Sequence, residues 1–389
     1  MTSVRLRLLI LALLPLAVLM PLLLLVAINR WSANYDNLLI TNVASDLRIA
    51  DQYLQRLLTS TGSEVTSLAR SLRFDEVART SPADLPAFLE ENRRALGLDF
   101  LYFMPQHEAR KRSADWPVID TALRGQPATE IDIFTPGDLL SLPQTGVTLA
   151  NRARVPLVAT VAAQPTSRQT EDRGMVVHSA TPVTAIGAQG VLVGGLLLNR
   201  NLDFIDTINT LVYRDTGTTG DRQGTATLFL EDVRVSTNVR LFEGERALGT
   251  RVSAAVRATV LDKGQTWLDS AFVVNDWYIS AYRPLTDSFG KRVGMLYVGF
   301  LQAPFDAAKR RAYLLVLAAF LVVLAVSAPL FLRLARNIFA PLERMTRTME
   351  EVEAGDMTAR IGPVAARDEI GTVAAHLDTL LDQVQERDR

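Results

Sequence analysis

The sequence has no cysteine and only three histidines, His107, His178 and His376, among its 389 residues. Without cysteine there is no disulfide, no thiolate nucleophile and no zinc–thiolate site, and three scattered imidazoles offer no His-rich metal cage. The redox compartment is left open. Charge of one sign is lacking too. The formal net charge is −1, which recommends neither nucleic acid nor a strongly charged partner. A phosphate-cradling loop is missing, because Gly290-Lys291 has no upstream glycine at P-loop spacing. Asp115 and Asp132 are isolated acids, read as lying in turns or at strand edges, and suggest no metal site. No catalytic constellation is legible and no cofactor is expected; whether a longer protein built on this chain is an enzyme stays open.

What is present is apolar sequence in long runs. Leu8 to Ile28 is 21 residues without a charge, and Ala312 to Leu332 is another 21. At the helical rise each reaches roughly 31 Å, about one hydrocarbon core. Pro15, Pro21 and Pro329 are tolerable there, since neighbouring groups re-satisfy the freed carbonyls. The first run could be a cleaved signal peptide, but its length and the want of a small-x-small site favour a retained anchor. Arg5 and Arg7 precede the first span, and Arg333, Arg336, Arg344 and Arg347 follow the second, as cytoplasmic flanks should. Lys309-Arg310-Arg311 argues the other way, though a long translocated domain overrides local charge. The expectation is a two-pass protein with residues 1–7 and 333–389 inside, spans at 8–28 and 312–332, and residues 29–311 outside. At this length more than one domain is expected.

Beyond the first span, Leu39, Val43, Leu47, Ala50, Leu54, Leu58, Val65, Leu68 and Leu72 mark one apolar helical face, predicting a long helix over 35–75. Ser81-Pro82 predicts a second helix running to about Leu96. The next two hundred residues read as one fold used twice. The first copy has a strand at Leu98–Met104, a helix at Val118–Arg124 stopped by Gly125-Gln126, and strands near Val155–Ala163, Met175–Pro182 and Val191–Leu198. The second has a strand at Thr225–Glu231, a helix at Ser253–Lys263 stopped by Gly264-Gln265, and strands at Trp267–Val274, Trp277–Pro284 and Val293–Leu301. The closing segments repeat at an offset of 102 and the Gly-Gln pairs at 139, so the first copy carries about 37 extra residues, around Ile133–Asp172. Such a repeat implies two stacked α+β modules, 82–210 and 225–305, joined by the Gly/Thr-rich linker Asp215–Gly224.

The C-terminal stretch 333–389 carries two heptad seams. Ile338, Leu342, Met345, Met349 and Val352 step by 4, 3, 4, 3, and Ile370, Val373, Leu377, Leu380 and Val384 by 3, 4, 3, 4. A 3.5-residue period needs a partner helix to bury it. Gly355-Asp356 stops the first helix, and Asp368-Glu369 opens the second with charge suited to the dipole.

This segment resembles a HAMP domain, the signalling linker of bacterial transmembrane receptors, on the strength of Pro341, Glu353-Ala-Gly-Asp356 and Asp368-Glu-Ile-Gly371. The resemblance implies a parallel homodimer and a four-helix bundle whose geometry is set by the seam residues with Pro341, Gly355, Glu369 and Gly371. Residues 35–305 resemble a double Cache (PAS-like) sensory domain, carried mainly by Arg234–Asn238, Gly244–Thr250, Val256–Gly264 and Gly294–Gly299. That resemblance implies a small-molecule ligand bound outside the cytoplasm, most often in the distal module. Candidate ligand contacts there are Tyr102, Arg152 and His178, since a small acid would need a cation and donors against an apolar wall. The aromatics Trp267, Trp277, Tyr278 and Tyr282 read as packing between sheet and helix. His376 lies outside any phospho-acceptor motif and reads as a solvated or seam-edge residue.

The resemblances imply the input region of a receptor in the bacterial inner membrane, first of a two-component sensor histidine kinase with its response regulator. A chemoreceptor and a stand-alone sensor or interaction protein without a catalytic module are the alternatives. The second seam is still in register at Val384, so an output module beyond Arg389 is expected.

Overall fold

A computed structural model describes residue 14 and residues 18–185, 188–213, 224–241, 244–362 and 369–387. The chain divides into two compact units, Asp36–Asp306 and the pair of segments Met1–Tyr35 with Ala307–Arg389. Residues 1–7, expected to be cytoplasmic, the first half of the first expected span apart from Leu14, the linker 215–223 and Asp368 lie outside the described residues.

The unit Asp36–Asp306 is built on the helix α1, Met20–Ala69, which enters it at Asp36. Its buried residues are the predicted stripe, Leu39, Val43, Leu47, Ala50, Leu54, Leu58, Val65 and Leu68, together with Thr61 and Ala69. Leu72 departs from expectation. The helix ends at Ala69, Ser71 accepts from the Phe74 N–H as an N-cap, and α2 (Leu72–Thr80) begins with Leu72 89% exposed. A cap restarts the helix on a new axis, so the 3.6-residue phase is lost. The helix foreseen from Ser81-Pro82 is a short 3₁₀ turn, Pro82–Asp84, followed by α3, Leu85–Ala95.

The first sheet contains β1 (Phe100–Pro105), β2 (Ala128–Phe134), β5 (Gly174–Ala185) and β6 (Ala188–Leu197), all antiparallel in the order β1-β6-β5-β2. Strand alternation divides its two faces. Leu192 and Leu101 pack with α1–α3, whereas Val191, Val193 and Leu197 pack with α4 (Gln106–Arg112), α5 (Pro117–Leu123), α6 (Pro136–Leu140) and α7 (Gly146–Ala153). The expected strand Val155–Ala163 is only the two-residue β3, Val155–Pro156, which pairs with β4, Thr170–Glu171. The strand that closes this sheet is instead β2, to which the Gly125-Gln126 stop leads directly.

After α8, Leu202–Val212, the second sheet runs β8-β7-β11-β10-β9. Its strands are β7 (Gly224–Leu230), β8 (Val233–Thr237), β9 (Trp267–Val273), β10 (Asp276–Thr286) and β11 (Arg292–Leu301). Four of these, β7-β11-β10-β9, repeat the order β1-β6-β5-β2 strand for strand. Ala128 and Trp267, which open β2 and β9, are 139 residues apart, the offset of the Gly-Gln pairs. The extra segment of the first half therefore falls between β2 and β5 and contributes α6 and α7. Pro182 and Pro284 sit where their missing N–H costs no ladder bond, because β2 pairs β5 only as far as Ala180 and β9 pairs β10 only as far as Tyr282. The helix foreseen at Ser253–Lys263 is one α-turn, α9 (Ala254–Arg257), continued by a π-helical stretch to Asp262. Tyr282 and Tyr297 are buried over it with centroids 4.6 Å apart, while Trp277 is exposed.

In the other unit, Ala303–Glu353 is one uninterrupted helix, α10, and Glu369–Arg387 is α11. The second expected span and the first seam helix are continuous in it, with Pro329 and Pro341 inside α10. Among the described residues, α10 is the helix long and apolar enough to cross a membrane. At the other end of this unit Trp31 stacks on Tyr35 and meets Tyr313 edge-on.

Candidate functional site

A cavity of about 300 Å³ opens on the α4–α7 face of the first sheet. The strands supply Tyr102 and Met104 from β1, Phe134 from β2 and His178 from β5, all on one side of the pleat. The helices supply Glu108 and Arg112 from α4, Ile119 from α5 and Asp138 from α6, with Trp116 ahead of Pro117 and Ser141–Pro143 closing the rim. Asp138 is held by a capping box. Its carboxylate accepts from the Thr135 N–H at 3.0 Å and the Thr135 hydroxyl at 2.6 Å, while its own N–H donates to Thr135 Oγ1 at 3.2 Å. The free side of that carboxylate lies 4.0 Å from Arg112 Nη1, which is also 4.0 Å from Asp115.

His178 is the innermost polar group. It is 1% exposed and stands edge-on to Phe134 and Trp116, with ring centroids 5.1 and 5.5 Å away. Nδ1 donates to Asp132 Oδ2 at 2.8 Å; the other carboxylate oxygen accepts from the Ser288 hydroxyl at 2.5 Å. In the neutral ring, a carboxylate that accepts on both oxygens places the proton on Nδ1 and leaves Nε2 as a lone pair. Nε2 is buried and has no partner among the described residues. Burial also pushes the Tyr102 hydroxyl well above the usual phenol range.

Of the three residues singled out in the sequence, Tyr102 and His178 line this cavity together and Arg152 does not. Arg152 donates to both carboxylate oxygens of Asp99, one at 2.8 Å, and to the Leu197 carbonyl at 3.1 Å, which pins α7 to the start of β1. The cation at the cavity is Arg112. Sequence reasoning missed it, along with Trp116, Glu108 and Asp138. Asp132, read from the sequence as lying in a turn or at a strand edge, is inside the edge strand β2 and fully buried. The signal was an acid inside the apolar run Ile131-Asp-Ile-Phe134.

The second candidate region is the helix pair of the other unit. Leu342, Met345 and Met349 of α10 face Val373, Leu377 and Leu380 of α11 across an apolar groove of about 610 Å³. Along the two seams Met349, Val373 and Leu380 are each more than half exposed, Ile338, Leu342 and Val384 at least 40%, while Met345, Val352, Ile370 and Leu377 are half-buried. Pro341 is buried on α10, Glu369 opens α11 and Gly371 follows within its first turn. His376 is exposed at the groove's edge. Gly355 takes φ +103°, a left-handed region open to glycine. The Asp356 carboxylate accepts from the Thr358 hydroxyl and N–H at 2.6 and 3.0 Å, and these bonds hold it below the usual carboxylate range. Asp378 of α11 then receives the N–H groups of Ile361 and Gly362 at 2.8 and 3.1 Å, fastening the connector to the second helix.

Against family models, residues 196–312 match the single Cache domain 3 and residues 333–386 match the HAMP domain. The chain carries a Cache domain and a HAMP domain. The Cache match covers α8 and the second sheet and stops short of the cavity. No curated protein matches the chain. Among solved structures it is similar to the periplasmic domain of Vibrio cholerae LuxQ, at 11% identity over 66% of this chain and 98% of that one, TM-score 0.35. The sensor domain of the V. cholerae histidine kinase DctB gives 12% identity over 68% and 98%, TM-score 0.35. The periplasmic sensory domain of the Campylobacter jejuni chemoreceptor Tlp1 gives 10% over 69% and 95%, TM-score 0.33.

Proposed function

We propose that this chain is the sensing and relay portion of a homodimeric receptor that crosses the bacterial inner membrane twice, with residues 29–311 in the periplasm. The first and second sheets are read as two stacked Cache modules, a reading supported by their common strand order. A small molecule binds in the first module's cavity at Tyr102 and His178, and binding shifts the packing of the HAMP helices. A ligand moves such a balance only by its differential affinity for the two packings. The observation that carries this reading is the cavity itself, walled by aromatic rings and lined by His178, whose buried Nε2 has no partner among the described residues. The output is read as a histidine kinase acting on a response regulator, with a chemoreceptor as the alternative.

The test uses the full chain in membranes with Leu380→Cys as its sole thiol. Disulfide trapping between chains should occur, and its rate should change on adding a fractionated pool of small metabolites. A trapping rate that no fraction alters overturns the sensing reading. The coding frame past codon 389 separates the outputs. A dimerisation helix with a His-Glu box supports the kinase, and long methylatable heptads support the chemoreceptor.

A further inference from the structure

The cavity's chemistry bears on what it holds. His178 lines it, with an Nε2 that is buried and without a partner among the described residues, while Nδ1 is committed to Asp132. With the ring neutral, Nε2 presents a lone pair and asks for a donor, and leaving it unanswered is destabilising. Among the described residues the rim carries one cation, Arg112, against two carboxylates, Glu108 and Asp138, and Arg112 already stands 4.0 Å from both Asp138 and Asp115. An anion entering here would meet a lone pair, surplus negative charge and a cation already answered. A cation would meet the lone pair and the rings of Trp116 and Phe134, whose faces attract positive charge. The volume, about 300 Å³, holds on the order of ten heavy atoms at roughly 30 Å³ for each water-sized group.

We infer that the cavity takes a donor-headed ligand, a small ammonium with an apolar or aromatic body, whose N–H seats on His178 Nε2, rather than a small carboxylate. This rests on the cavity being the ligand site of the receptor proposed above. The relay behind it, His178 to Asp132 to Ser288, fixes the tautomer and holds the acceptor in place.

The test uses the full chain in lipid nanodiscs with three probes of one skeleton, 2-phenylethylamine, 2-phenylethanol and phenylacetate, at about ten times a millimolar Kd. The amine should raise the melting midpoint by about 3–5 °C and the alcohol by less, with phenylacetate inert. In His178→Phe the amine response should vanish. Should that variant fail to fold, ¹⁵N-histidine spectra of the unaltered side chain decide, with His107→Gln and His376→Gln giving the assignment. The His178 Nε2 resonance should move upfield with the amine, as a lone pair does on accepting a proton donor. Stabilisation by phenylacetate that disappears in Arg112→Gln would reverse the ligand class and leave the sensing reading standing. An amine response undiminished in His178→Phe, or no response to any probe, also overturns the inference; the trapping assay then judges the sensing reading by itself.

Discussion

Ser288 and Asp132, 156 residues apart in sequence, join at 2.5 Å through the serine hydroxyl and a fully buried carboxylate oxygen. Ser288 sits in the turn between β10 and β11 of the second sheet, and Asp132 is on β2 of the first. The Ser288 N–H also donates to the Ile131 carbonyl at 3.2 Å. Asp132 thus answers groups from both sheets at once.

Removing that carboxylate orphans two donors. Asp132→Ala should destabilise the fold by about 3 kcal/mol, and Ser288→Ala by about 1 kcal/mol, because the second change leaves His178 paired. Urea unfolding of the full chain in detergent reads both. Equal losses would show that the serine contact, not the histidine contact, dominates.

Arg152 gives the opposite pairing of readouts. Arg152→Leu strands the half-buried Asp99, whose second oxygen also accepts from the Leu197 N–H at 2.7 Å, and should cost about 2 kcal/mol. Binding of 2-phenylethylamine, read by calorimetry at a temperature where the variant is folded, should stay within twofold. Arg152→Lys should not restore stability, since a lysine cannot bridge both carboxylate oxygens.

Glu90 supplies a pH signature. Hydrogen bonds from Arg93, then from Arg94, hold its carboxyl down to about 2 from an ordinary value of 4.5. A group depressed on folding stabilises the fold above its unfolded pKa and loses that contribution as pH falls through its folded value. Glu90's contribution is therefore present above about pH 4.5 and drains away between there and pH 2. Glu90→Gln should flatten that part of the melting-temperature profile and leave the shape above pH 6 alone; an unchanged acid limb would count against the pairing.

The seam predicts its own partner. Ile370→Asp places a charge in the first turn of α11 and should abolish trapping through Leu380→Cys while leaving the melting midpoint of the Asp36–Asp306 unit unchanged. Trapping that survives the charge would remove Ile370 from the interface. The native chain has no cysteine, so the introduced thiol reports alone.

Periodicity made much of this architecture legible. A stripe at Leu39, Val43, Leu47 and Leu54 can bury itself only as a helix, and alternation at Val191–Leu197 only as a strand with two covered faces. Pro182 and Pro284 marked matching sheet ends. The cavity was less legible, because its walls come from segments with no common period. Tyr102 and His178 were visible as polar groups on apolar strands, whereas Arg112 and Asp138 look like any solvated helix charge. Arg152 was misplaced for the same reason: nothing in its own helix tells that Asp99, 53 residues earlier, will claim it.

By itself the sequence determined the long first helix, most of the sheet strands and the two seams, that the sheet-forming pattern occurs twice, and that disulfide and thiolate chemistry are excluded. These follow from local steric periods and from composition, which need no distant partner. Only the tertiary structure decided that β2 closes the first sheet, that Arg152 belongs to Asp99 and that His178 is left with an open nitrogen. A hydrogen bond is satisfied by whatever group the fold brings within about 3 Å, and distance along the chain carries no record of it.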